Sequence, residues 1–259
     1  MRSFFSALSF LTVIPIPSRL HSRKENAMFA AYPLVGFLIG GLLSLLYFAA
    51  RLAFPDALAV VTLLAGSLLL TGAIHLDGLA DCADAFYGNR DREETLRILK
   101  DPRIGTMGGT AIGLSLLARF AAVSAVGASA MLLALPILSA FSRTSVLAAL
   151  RFLPYARATG GLLKLRSPGA VARSGLAVLA VCVTLAVAAL LPIPCAISLI
   201  ALAGLWRLSW KRIGGCTGDV LGASIEIAEI VFLGTLAATG RLGAALGLFY
   251  PLARLVGAA

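Results

Sequence analysis

The sequence predicts an all-α protein, a polytopic transmembrane helical bundle of seven or eight spans with both termini in the cytoplasm. Of its 259 residues, 59% are hydrophobic and 13% charged, too little polar surface for a soluble chain of this length to cover itself. Several apolar runs approach or exceed the roughly 20 residues a helix needs to cross a bilayer. Eighteen of the 22 Lys and Arg residues fall in places that strictly alternating spans put on one face.

The N-terminal segment, 1–27, begins with an apolar run ending in Ile14-Pro15-Ile16-Pro17. It is too short to span, and no small-residue cleavage site follows at signal-peptide spacing, so an interfacial or re-entrant segment is expected. The spans then read 29–50, 57–74, 108–125, 128–150, 171–191, 195–208 and 220–239, with 242–256 as a shorter eighth. Basic residues gather in the N-terminal segment, in 90–103, 151–173 and 207–212, and at Arg254. By the positive-inside rule that face is cytoplasmic. The same topology accounts for the net charge of +10 without a nucleic-acid partner. Polar excursions are too short for a soluble domain, so 1–259 reads as one integral membrane domain. The four cysteines are scattered with no C-x-x-C pair, implying neither a disulfide framework nor a structural zinc site.

Ten of the twelve acidic residues fall in two clusters. In the first, Asp77, Asp81 and Asp84 stand at i, i+4 and i+7, which places three carboxylates on one stripe of a helix. Like charges on one face repel, so folding alone does not favour the pattern. A divalent cation removes the penalty, and Mg²⁺ characteristically takes one or two carboxylates together with substrate phosphate oxygens. The plainer alternative, a solvated acidic face, sits badly with apolar flanks such as Leu79, Ala80 and Phe86. In the second cluster, Gly214-Gly215-Cys216-Thr217-Gly218 leads into Asp219, Glu226 and Glu229. Asp219 and Glu226 share a helical face, and a glycine run before a helix leaves N–H groups to meet an anion. Thr217 or Asp219 also suits a helix cap. A cap does not explain Glu226 and Glu229, and acids inside an apolar span default to functional candidates.

Between the clusters, Lys100 and Arg103 suit polyanion contacts, while Gly105, Gly108 and Gly109 allow close backbone approach. Alone, a basic loop is usually topological. Beside aligned carboxylates it completes the division of labour of metal-dependent phosphoryl transfer. Arg143 lies in the cytoplasmic half of its span and Arg119 deeper. Each costs roughly 2.5–3.5 kcal/mol at a span centre and needs a partner. Pairing with a carboxylate and contact with substrate both fit Arg143, whereas pairing fits Arg119 better. His75 suits a general base, a group that orients one, or a hydrogen-bonded structural histidine.

His75-Leu-Asp77-Gly-Leu-Ala-Asp81-Cys-Ala-Asp84, Lys100-Asp101-Pro-Arg103-Ile-Gly105-Thr and Thr217-Gly218-Asp219-Val-Leu-Gly222-Ala together resemble the adenosylcobinamide-GDP ribazoletransferases, the membrane-bound cobalamin synthase family. The opening Phe10-Leu-Thr-Val-Ile-Pro-Ile-Pro17 is similar too, so the resemblance covers nearly the whole chain in order. It implies an enzyme that joins adenosylcobinamide-GDP to α-ribazole or α-ribazole 5′-phosphate, with GMP leaving. Mg²⁺ is the implied cofactor and a bacterial inner membrane the implied location, with lipid around the bundle and the site facing the cytoplasm. On this resemblance Asp77, Asp81, Asp84 and Asp219 are expected metal ligands. Lys100 and Arg103 hold the diphosphate, with Arg143, Gly105 and Gly218 as further phosphate contacts. Asp81, Lys100, Asp219 and His75 form the catalytic group, and which of the acids or His75 takes the hydroxyl proton stays open. Oligomeric state is open as well.

The nearest rival, the CDP-alcohol phosphotransferases, runs Asp-x-x-Asp-Gly, unlike Asp77-Gly78 with Asp81 four residues on from Asp77. Intramembrane prenyltransferases carry two related Asp-x-x-x-Asp copies, and the clusters here are dissimilar. A secondary transporter would place its polar residues near the midplane in related halves, whereas these acids sit beside the basic loops.

Overall fold

Backbone inside hydrocarbon has to satisfy its own N–H and C=O groups, which helices do within one segment. The computed structural model describes residues 2–22, 25–157 and 191–246, and among these it is all helix, with one isolated bridge between Tyr155 and Cys216. The described residues form nine α-helices in order: α1 (Arg2–Leu11), α2 (Tyr32–Ala53), α3 (Asp56–Thr71), α4 (Ile74–Phe86), α5 (Arg92–Ile98), α6 (Thr106–Ala125), α7 (Ala128–Phe152), α8 (Pro192–Ile213) and α9 (Gly218–Leu246). The all-α expectation therefore holds.

Five of the described helices are long and apolar enough to cross a membrane, or up to six if α3 and α4 count as one broken span. That is fewer than the seven or eight expected. The 171–191 candidate, Leu191 apart, lies outside the described residues, as does most of 242–256. Helix α9 runs on through Gly240 to Leu246, so the expected break near 240 is absent. The helical pattern persists there because no proline interrupts it.

The lipid-facing surface is explicit on α2. Leu34, Phe37, Leu38, Leu45, Phe48 and Leu52 are exposed in a helical row, while Val35, Ile39, Leu43 and Tyr47 are buried on the other side. Gly36 and Gly40, four apart, lie directly against the Ser139 and Leu135 carbonyls of α7. This small-residue stripe lets two backbones touch where lipid supplies no hydrophobic drive. The chain is an integral membrane protein.

Helix α3 is short, about 24 Å at 1.5 Å per residue. It ends at Gly72 (φ 62°) and Ala73 (φ 54°), two consecutive left-handed residues, and α4 leaves at 88° to α3. Glycine takes such a φ freely, whereas alanine pays a steric cost. The bend turns α4 across the bundle to lie against α6 and α9. The acidic stripe thus runs across the ends of spans instead of continuing down one.

Candidate active site

Helices α4 and α9 meet backbone to backbone. A Cβ on Gly78 would lie 2.7 Å from the Asp219 carbonyl oxygen and 3.2 Å from its Cα, and one on Gly222 would lie 3.4 Å from His75 Cα. The glycine next to the first aspartate therefore sets how closely the two acidic clusters approach. Asp81, half-buried, feels the charges of Asp77, Asp219 and Asp84, opposed by Arg157. Four carboxylates, Asp81 included, thus gather here with one guanidinium among them.

Each expected site residue has a definite place. Asp84 is committed to the backbone: one oxygen accepts from Gly105 N–H at 2.7 Å and the other from Gly108 N–H at 2.9 Å. It closes the N-terminus of α6 from a different helix, satisfying donors that the helix leaves open. A Cβ at Gly105 would lie 2.5 Å from Asp84 Oδ1, so these glycines serve the carboxylate. Asp77, His75, Gly218 and Asp219 line a cavity of about 280 Å³. Thr217 caps α9, its Oγ1 accepting from Val220 N–H at 3.4 Å, and its hydroxyl also reaches Asp219 Oδ2 at 3.1 Å.

Lys100 and Arg103 are exposed on the turn between α5 and α6. Arg103 grips Asp101 through Nε at 2.9 Å and a terminal nitrogen at 2.7 Å. These side-chain bonds, with a further one from the Arg103 backbone, lower the Asp101 carboxyl to about 2. Neither Lys100 nor Arg103 lines the cavity.

Arg143 is 3% exposed and pairs with Glu229, whose Oε1 also accepts from the Ser142 hydroxyl at 3.0 Å. Arg119 bridges Glu226 at 2.5 Å and Glu229 at 3.0 Å. Two cations and two anions cancel inside the bundle, joining α6, α7 and α9. Of the two roles open to Arg143, the structure shows pairing. The same pairing explains Glu226 and Glu229, which the sequence had offered as functional acids.

Arg157 is the residue that the sequence did not single out. One of its terminal nitrogens donates to Asp219 Oδ2 at 3.0 Å and to the Leu99 carbonyl at 3.0 Å. It therefore ties the Lys100 turn to the second acidic cluster. Its backbone is docked by Cys216 N–H to Pro154 O at 2.8 Å and Ala156 N–H to Cys216 O at 2.9 Å. Gly215 lies against the Pro154 carbonyl, which accounts for a glycine there. The Cys216 N–H is thus spent on this docking, and Gly214 N–H on Trp210 O, so neither serves as the anion-meeting donor expected of the glycine run. Burial raises the neighbouring Tyr155 phenol, with Arg157 pulling it back. Nothing in a run of five basic residues distinguishes Arg157, because its signal is a contact 62 residues away.

Among the described residues no three His, Cys, Asp or Glu side chains converge as a ready-made metal cage. Magnesium does not need one, since it keeps waters and takes one or two carboxylates beside phosphate oxygens. Asp77, Asp81 and Asp219 are all-oxygen donors without the backbone commitments of Asp84, and they suit such an ion.

A sequence model described as cobalamin-5-phosphate synthase matches residues 3–237. The chain belongs to this family. A curated relative from Chlorobium phaeobacteroides named adenosylcobinamide-GDP ribazoletransferase is 40% identical over 244 residues, covering 89% of this chain and 95% of its own. One of the same name from Pseudomonas savastanoi is 40% identical over 249 residues, 92% and 99% of the two chains. Another from Clostridium novyi is 31% identical over 244 residues, 90% and 95%. No solved structure matches. The cobalamin synthase family is one of enzymes, so the resemblance read from the three motifs is borne out, and with it the enzyme class.

Proposed function

We propose that the chain transfers the corrinoid-bearing phosphoryl group of adenosylcobinamide-GDP to α-ribazole, or to its 5′-phosphate, with release of GMP. The observation that carries this is the Gly78–Asp219 contact, which converges two acidic clusters beside a cavity in a chain of the cobalamin synthase family. A ribose hydroxyl oxygen bonds to the phosphorus on the corrinoid side chain. The bond from that phosphorus to the bridging oxygen breaks, and GMP leaves with that oxygen and its electron pair. The hydroxyl proton passes to a carboxylate of the cluster or to His75. Asp77, Asp219 and His75 all line the cavity where a nucleoside would sit.

Mg²⁺, held by Asp77, Asp81 and Asp219, would neutralise charge developing on the phosphoryl oxygens. Arg157 orients Asp219 through its hydrogen bond. Lys100 and Arg103, on the turn that Arg157 tethers, meet the departing GMP side, where charge and exposure suit a bulky nucleotide. In this reading the site faces the cytoplasm from a bacterial inner membrane, which the basic ends of the spans support by the positive-inside rule.

Purified enzyme in detergent, given adenosylcobinamide-GDP and α-ribazole, should release GMP with Mg²⁺ and stop in EDTA. Asp81→Asn and Asp219→Asn should each lose roughly two orders of magnitude or more in kcat/KM. Turnover that persists in EDTA would remove the metal, and turnover that survives both substitutions would remove this site.

A further inference from the structure

The cavity is lined by two unlike groups of residues. Asp77, Asp219 and Arg157 make up one, and Phe10, Phe29, Tyr32, Val146 and Ile225 supply aromatic and aliphatic wall. The aromatic part is built as a unit: Phe29 and Tyr32 have ring centroids 5.0 Å apart, and Phe10 stacks on Tyr32 at 6.3 Å with 25° between planes. Tyr32 is 2% exposed, yet its hydroxyl has no hydrogen-bond partner among the described residues. A buried phenol normally finds one, and leaving it unmade is costly. The hydroxyl is itself shielded from solvent on a residue that lines the cavity, so an occupant that displaces its immediate neighbours is the natural partner.

We propose that this cavity seats the base of the incoming nucleoside, with the Tyr32 hydroxyl donating to its one unsubstituted ring nitrogen. The inference rests on the transferase reaction proposed above and assigns its acceptor subsite. Size favours it. About 280 Å³ lies just below the usual range of drug-sized pockets, which suits a two-ring base and is far too small for a corrinoid macrocycle. Chemistry favours it over the guanine of the departing GMP. Guanine carries several donors and acceptors that Phe, Val and Ile cannot meet, and burying them unpaired is penalised. The benzimidazole of α-ribazole has one free acceptor nitrogen and two methyl groups, matching one hydroxyl in an apolar wall. With the base against the apolar wall, the ribose turns towards Asp77 and Asp219, where its hydroxyl has to react. The N-terminal segment, through Phe10, thereby becomes part of the nucleoside site.

The test separates the two substrates in the full-length enzyme. Tyr32→Phe should raise KM for α-ribazole by about tenfold, with KM for adenosylcobinamide-GDP unchanged. The same variant should melt no lower than wild type in the absence of nucleoside, because it deletes an unsatisfied polar group. Val146→Phe, which fills the cavity, should raise KM for α-ribazole at least as much. Binding of α-ribazole alone, followed by its own fluorescence, should weaken in step. An active wild type whose Tyr32→Phe and Val146→Phe variants bind α-ribazole normally would overturn the subsite and leave the transferase reaction standing. Variants that raise both KM values equally would also overturn it. A folded wild type that neither binds α-ribazole nor turns over would overturn both.

Discussion

Replacing Gly78 with alanine tests the close approach of α4 to α9. The added Cβ would sit 2.7 Å from the Asp219 carbonyl oxygen, 3.3 Å from its carbonyl carbon and 3.2 Å from its Cα. All three atoms are backbone, so no side chain can rotate away. Restoring an ordinary contact of 3.4 Å requires the helices to part by about 0.7 Å, and over-packing of this kind costs roughly 1–3 kcal/mol. Misplacing reacting groups by about 1 Å can cost on the order of 100-fold in rate. Gly78→Ala should therefore lose about 10- to 100-fold in kcat and melt lower in detergent, although alanine is the better helix former. Gly113→Ala is the control: it sits in α6 with nothing within 4 Å of the added Cβ, and it should keep activity. Steady-state kinetics and thermal unfolding on both variants decide the matter. If Gly78→Ala matches Gly113→Ala in rate and melting, the α4–α9 contact does not set the geometry of the site.

Two further substitutions separate scaffold from chemistry. Asp84→Ala strips the partners from Gly105 and Gly108 N–H and should cost about 1–2 kcal/mol of stability, as other lost caps do. Asp81→Asn should leave melting unchanged or raised while losing roughly two orders of magnitude or more in kcat/KM, so equal melting curves for the two variants would contradict this division. Glu229→Gln leaves Arg143 buried without its anion and should destabilise by roughly 3–5 kcal/mol, seen as a large drop in melting temperature. Unchanged melting with a raised KM for the nucleotide substrate would instead return Arg143 to the phosphate.

Much of this was legible in the chain. The spacing of Asp77, Asp81 and Asp84 gave their common helix, because a 3.6-residue period is a local property. The three motifs gave the family, because they keep chemistry and order together. What the spacing could not give was which acids are spent on structure. Asp84 looks identical to Asp81 in sequence, yet it faces the start of α6, 24 residues away at Gly108. Glu226 and Glu229 looked like functional acids until the cations of α6 and α7 were placed beside them. Arg157 was hidden for the opposite reason, in a loop whose charge topology already explained. The 88° turn rests on two residues, one of them an alanine that no turn rule flags.

The paired charges inside the bundle also bear on how the protein is made. Arg119 and Arg143 leave the ribosome well ahead of Glu226 and Glu229. At about 5–20 residues per second the delay is on the order of ten seconds. Through that interval α6 and α7 each carry an uncancelled guanidinium that the lipid interior resists by roughly 2.5–3.5 kcal/mol. Only α9 brings the anions that neutralise both. A truncation ending before α9 should accordingly be less stable in detergent than the full chain, because Arg119 and Arg143 then lack their anions.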